Sequence, residues 1–250
     1  MWRESSEYLV LPPHEIHVWR VPLNIAPSQY RTLWSILAFD EQQRANRLTG
    51  PSHRAAFVAT RSCLRLVLSR YLPIQPGDFV FELLPKGKPY LSHLSHPHGL
   101  TFNVTHSEKL ALVAVSLNRR VGVDVEYHRE GLDYQALMQR IGSAQEIRSF
   151  RSLSPAQQGA GFFACWTRKE AFVKAIGQGL SFSLKKVTVS VQPDRPASLL
   201  QIDGTAGHLS DWSICDLSPG PQFTAALVGE GADWHTRCWQ WSWEKPLMGS

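Results

Sequence analysis

The chain lacks any apolar run long enough to cross a bilayer. Its longest uncharged apolar stretch is residues 110–117, whereas a spanning helix needs about 20 residues. Residues 1–7 include Arg3, Glu4 and Glu7 and lead into no apolar segment of the secretory kind, so no leader is expected. Cysteine is scarce: Cys63, Cys165, Cys215 and Cys238 are widely spaced and contain no Cys-x-x-Cys pair. That argues against a disulfide scaffold or a zinc knuckle and for free, buried thiols. Few aromatics are interleaved with the arginines, which argues against the stacking surface of a nucleic-acid binder. A cytoplasmic protein that engages neither membrane nor nucleic acid is expected.

What is present reads as globular, with 43% hydrophobic and 19% charged residues. The 250 residues suffice for one large domain or two of ordinary size. The net charge of +5 is unevenly divided: residues 1–120 hold 14 Lys+Arg against 8 Asp+Glu, and residues 121–250 hold 12 against 13. A basic half facing an anion and an acidic half holding a cation suit a phosphate-bearing substrate clamped across a cleft.

Strand and helix patterns come in two successive batches. In the first, residues 15–20 alternate as a strand, 27–37 read as a short helix, and Ser52 caps a longer helix reaching about Tyr71. That helix carries Arg54, Arg61 and Arg65 as a basic stripe. Strands are expected at 79–83, 101–105 and 110–116. The second batch has a strand at 121–127, helices at 134–141 and 144–151, and a long helix from Pro155 to Ala175 stopped by Gly177-Gln178-Gly179. Strands at 187–191, 212–216 and 223–228 close it. Trp239, Trp241 and Trp243 alternate, as in a final strand with one aromatic face used for packing or for contact with a partner protein. His93, His96 and His98 crowd a Pro- and Gly-containing stretch with no firm element to fix a metal geometry, so a zinc site is not expected there.

Two motifs carry the chemistry. In Gly122-Val123-Asp124-Val125-Glu126 the valines fall on one face of a strand and the two carboxylates on the other. In Trp166-Thr167-Arg168-Lys169-Glu170-Ala171-Phe172-Val173-Lys174 the helical spacing puts Glu170 and Lys174 on one face, a turn apart. Either motif alone is more often wet-surface decoration. Together they offer three carboxylates and a lysine on two rigid elements, which suits an oxygen-liganded divalent ion and an anionic substrate.

This composite resembles the 4′-phosphopantetheinyl transferases, in particular the long, surfactin-synthetase-priming type. Gly87-Lys88-Pro89, the run Phe102-Asn103-Val104-Thr105-His106-Ser107, and Arg54 match further family positions in order. The resemblance spans about residues 40–191. It implies an α+β fold of two similar subdomains, each a small, mostly antiparallel sheet with helices, forming a pseudo-dimer with the active site between them. The division expected is 1–119, binding the phosphates of coenzyme A, and 120–250, carrying the metal ligands and catalytic helix.

The activity implied is transfer of 4′-phosphopantetheine from coenzyme A to a serine of an apo acyl or peptidyl carrier protein by a monomeric enzyme. Mg2+ would be held by Asp124, Glu126 and Glu170. Glu170 or a metal-bound hydroxide would act as base, and Lys174 would neutralise the leaving phosphate. By matching position, Arg54 and His106 would meet the 3′-phosphate, with Lys88 near the nucleotide and Arg44 or Arg47 assisting. Lys169 would contact the pantetheine phosphate or stand exposed. Thr105 stands where serine is commoner, and Gln42 and Ala45 stand where some relatives are basic. The alternatives are a metal-dependent phosphohydrolase acting on similar diphosphates and a non-catalytic phosphate-binding relative.

Overall fold

The computed structural model describes residues 2–4, 9–92, 99–204 and 207–244; His93, His96 and His98 lie outside them. The first unit runs β1 (Arg3–Glu4), β2 (Glu15–Pro22), α1 (Pro27–Ile36), α2 (Phe39–Arg47), α3 (Pro51–Leu68), the hairpin β3 (Phe81–Leu83) and β4 (Pro89–Leu91), then β5 (Leu100–Ser107) and β6 (Leu110–Leu117). The second runs β7 (Val121–Tyr127), α4 (Tyr134–Ile141), α5 (Ala144–Arg151), α6 (Pro155–Ile176), the hairpin β8 (Val187–Val189) and β9 (Leu199–Ile202), then β10 (Trp212–Leu217), β11 (Phe223–Glu230) and β12 (His235–Gln240).

From β2 to β6 and from β7 to β11 the order is the same: a strand, three helices, a small hairpin and a larger hairpin. The pairing repeats too, β2-β6-β5 in one sheet and β7-β11-β10 in the other, all antiparallel. The duplication is therefore present in the topology although no repeat shows in the residues. One element breaks it. β12 leaves the second unit and pairs parallel with β2, with β1 parallel beyond it, giving a five-stranded sheet β1-β12-β2-β6-β5.

Strand alternation sorts the core into layers. Ile16, Val18, Leu110, Leu112 and Ala114 of the first sheet pack with Val121, Val123, Val125, Ala225 and Leu227 of the second. The opposite face of the first sheet, including Trp19, Val21, Val113 and Val115, lies on α1 and α3. The opposite face of the second, including Ala226 and Val228, lies on α6. Trp239 ends up within β12 and Trp241 just beyond it; both are buried against Trp19, so packing is their use. Cys63 and Cys165 are buried free thiols, while Cys215 and Cys238 are half-buried.

Two features go beyond what the sequence patterns announce. α2 falls in a stretch not assigned to any element; its sequence, FDEQQRANR, is nearly all polar and it buries only Glu41 and Ala45. Of the basic stripe on α3, Arg61 and Arg65 have their partner within the fold. Arg61 and Arg65 both donate to Glu41, at 2.7 and 2.8 Å, and both guanidinium groups sit 5.0 Å from the Phe81 ring. One carboxylate thus offsets part of the charge of both guanidinium groups and commits them inside the fold.

Candidate active site

Gly122 governs the site. A Cβ there would lie 2.1 Å from the Ala171 carbonyl oxygen and 2.3 Å from the Ala175 amide nitrogen, so only glycine lets α6 press against β7. That contact sets Glu170 and Lys174 of α6 over the face of β7 that carries Asp124 and Glu126. Asn103 fixes β5 alongside, its Oδ1 accepting from the Val123 amide at 2.8 Å.

Asp124 is buried at the centre. Its Oδ1 accepts from Lys174 Nζ at 2.5 Å and from Thr105 Oγ1 at 3.1 Å, and Lys174 also donates to Thr105 at 2.9 Å. Its Oδ2 is buried with no hydrogen-bond partner. Glu126 accepts from Ser107 Oγ at 3.0 Å and from the Trp166 indole at 3.3 Å. Burial holds the Asp124 carboxyl above its usual range despite the Lys174 ammonium. Glu170, half-buried, is raised by burial and then by the charges of Asp124 and Glu126. Two carboxyls raised by burial and by neighbouring negative charge, one of them with a bare buried oxygen, fit a hard divalent cation with oxygen ligands.

His106 is exposed and, by alternation with Phe102 and Val104, lies on the other side of β5, which packs against α3. Partial desolvation and then the Lys174 ammonium lower its pKa. Arg54, half-buried near the start of α3, makes one long bond to the Leu48 carbonyl at 3.4 Å, and its Nε has no partner. Arg44 lies over the Phe57 ring, and Arg47 is exposed. Among the described residues, no hydrogen bond or ion pair joins these three arginines to the carboxylates.

Two lysines make contacts that the motifs do not announce. The Lys88 ammonium donates to the Val121 and Lys174 carbonyls, at 2.8 and 2.7 Å, and more distantly to that of Ala175. It caps the negative end of α6, and burial followed by Arg120 pushes its pKa down to about 8. Lys169 is neither exposed nor near the carboxylates. It is wholly buried, 2.6 Å from Glu146, and donates to the carbonyls of Leu184 and Val187. Glu146 in turn caps α5 through the Ser143 amide and accepts from the Val189 amide, so the pair ties α5, α6 and β8 together. Lys169→Ala would leave Glu146 buried and uncompensated. Urea unfolding is expected to show a loss of about 3 kcal/mol, with substrate KM unchanged. A raised KM at unchanged stability would restore the phosphate role.

Asn103, Ser107 and Trp166 join the site beyond the residues that the two motifs point to. For two of them the sequence carries a signal: Asn103, Thr105 and Ser107 recur every second residue and so share one face of β5.

Together, the fold and this cluster define a duplicated α+β protein with one cation-fitted carboxylate site on β7 and α6, beside β5. Residues 120–228 match the model of the 4′-phosphopantetheinyl transferase superfamily, and residues 24–118 match that of the 4′-phosphopantetheinyl transferase N-terminal region. The 4′-phosphopantetheinyl transferase HetI of Nostoc sp. is 36% identical over 240 residues, covering 96% of this chain and 98% of that one. The 4′-phosphopantetheinyl transferase psf-1 of Bacillus pumilus is 31% identical, covering 70% of this chain and 72% of that one. The holo-[acyl-carrier-protein] synthase structure from Thermotoga maritima aligns over 44% of this chain and 62% of that one, at 24% identity and a TM-score of 0.36. The chain belongs to the 4′-phosphopantetheinyl transferase superfamily.

Proposed function

We propose that this protein transfers the 4′-phosphopantetheine group of coenzyme A to a serine of apo acyl or peptidyl carrier proteins, acting as a cytoplasmic monomer of the long, surfactin-synthetase-priming type. Among the described residues, no helix is long and apolar enough to cross a membrane. The observation that carries the reading is the buried, unpartnered Asp124 Oδ2, set among Glu126, Glu170 and Lys174.

Asp124, Glu126 and Glu170 are the residues that would hold Mg2+. When bound, the ion supplies positive charge against the diphosphate oxygens. The chain's own groups do the rest. Phosphoryl transfer needs in-line positioning and charge neutralisation. A Glu170 carboxylate oxygen takes the proton from the carrier serine hydroxyl. The serine oxygen bonds to the phosphorus that carries pantetheine, the diphosphate P–O bond breaks, and 3′,5′-adenosine bisphosphate leaves. Lys174 spends two N–H groups on Asp124 and Thr105, and its third is directed to the leaving phosphate.

Arg54 and His106 receive the 3′-phosphate; their placement on the α3 side of β5 supports this, as does the incomplete hydrogen bonding of Arg54. Arg44 and Arg47, exposed on the preceding helix, add positive charge. Arg54→Ala is expected to raise the KM for coenzyme A about tenfold to a hundredfold, the worth of one charge-assisted bond. The KM for 3′-dephospho-coenzyme A should barely move, and equal effects on both would refute the assignment.

The function itself is tested by incubating protein, coenzyme A and Mg2+ with an apo carrier and weighing the carrier by mass spectrometry. Gain of one phosphopantetheine group is the expected result. Nucleotide release without that gain would mean hydrolysis, and neither would mean a binding protein.

A further inference from the structure

A second cluster of ligand-bearing side chains lies far from the carboxylates, where β2 and β12 begin. Glu15 stands opposite His235 in the parallel ladder, and the His235 amide donates to the His14 carbonyl at 3.0 Å. These backbone contacts bring the His14 and His235 rings to a centroid distance of 5.4 Å. One ligand atom from each of His14, Glu15 and His235 falls within 4.8 Å of the others. Glu15 Oε1 is 3.4 Å from His235 Nε2. That is long for a hydrogen bond, but close to the ~3.3 Å edge of a tetrahedron built on bonds of about 2.0–2.1 Å to a central zinc ion.

The carboxylate is held as a metal ligand is held. Glu15 is buried, and its Oε2 accepts from His17 Nε2 at 2.8 Å. A carboxylate only accepts, so His17 carries its proton on Nε2. His17 Nδ1 meets the Tyr71 hydroxyl at 2.9 Å, and that hydroxyl accepts from the Trp19 indole at 2.8 Å. A relay from the core thus fixes one oxygen and turns the other toward the two imidazoles, the kind of outer support that metal sites use. Arg237 also reaches Oε1, at 2.8 Å. Its side chain is 45% exposed, so it can release the oxygen to water at little cost.

We propose that His14, Glu15 and His235 bind one divalent transition-metal ion, with zinc suited to two imidazoles and a carboxylate and water completing the set. The ion ties the start of β2 to the returning strand β12. This site is separate from the candidate Mg2+ site. Thr105 pairs with Leu112, and Leu112 with Arg20, five residues along β2 from Glu15, or roughly 17 Å. The donors differ as well, nitrogen-rich here and all oxygen in the cleft.

Cobalt(II) is a suitable probe, added to the full-length protein in saturating Mg2+ so that the cleft is occupied. One equivalent per chain is expected to bind with the visible absorption of a four-coordinate nitrogen and oxygen site, and Asp124→Ala should bind it equally. His14→Ala and His235→Ala, both at exposed side chains, should each weaken binding more than tenfold, since even outer-shell losses cost about that much. Both variants should lose the rise in Tm that zinc gives the wild type and keep their basal transferase activity. Absence of cobalt binding in saturating Mg2+, or undiminished binding in both variants, would overturn the proposal.

Discussion

Replacing Asp124 with alanine is expected to slow carrier modification about a thousandfold, a loss of roughly 4 kcal/mol of charge stabilisation in the transition state. Asp124 is the hinge of the cluster. One of its oxygens holds Lys174 and Thr105, and the other is buried and bare. The substitution removes a cation ligand and the counter-charge of Lys174 together. The fold should survive, because the Lys174 side chain is 28% exposed and can recruit water, so near-ultraviolet dichroism should be unchanged. Excess Mg2+ should restore activity only in part. A variant turning over within a few-fold of the wild type would remove Asp124 from the mechanism.

Glu170→Gln is the sharper experiment. It keeps the size and one oxygen of the side chain and removes its basicity, so kcat is expected to fall about a thousandfold while Mg2+ affinity falls modestly. Burial and the charges of Asp124 and Glu126 raise the Glu170 carboxyl. A base must be ionised, so wild-type turnover should decline as pH drops through that raised value, above the range of an ordinary glutamate. The variant should lose this limb, with no recovery at high pH. Turnover near the wild-type level at neutral pH would exclude Glu170 as the base. The same shifts bear on stability. With Mg2+ chelated, the folded state keeps protons on Asp124 and Glu170 that the unfolded chain has already released, so stability should fall as pH rises through the raised values. Added Mg2+ should flatten that slope, read as Tm against pH.

What the sequence disclosed was local. The alternation of residues 121–127 and the one-turn spacing of Glu170 and Lys174 are short-range patterns, and both motifs meet as expected. The reason they meet was not visible, because the atoms that forbid a Cβ on Gly122 come from Ala171 and Ala175, some fifty residues away. Lys169 could have been placed correctly, since a helix turns about 100° per residue and the neighbour of an inward-facing Glu170 points elsewhere. The contacts of Lys88 were not legible, because its partners are backbone carbonyls at Val121 and Lys174. The duplication was implied by the family resemblance and not by any repeat in the residues, because topology alone keeps it. On β7 the helix-facing side carries Asp124 and Glu126, whereas on β2 it carries Trp19 and Val21 in a closed core under Trp239 and Trp241.

The return of β12 also sets the timing of folding. Arg20 and Gln240 are 220 residues apart yet hydrogen-bonded, and β2 has β12 on one side and β6 on the other. During synthesis β2 and its partner β6 emerge early, but one edge of β2 must wait for the last strand. At about 5–20 residues per second, that edge stays unpaired on the order of ten to forty seconds. A nascent chain stalled after residue 230 would therefore present an open strand edge, a template for pairing with another chain, and is where a chaperone would be needed most.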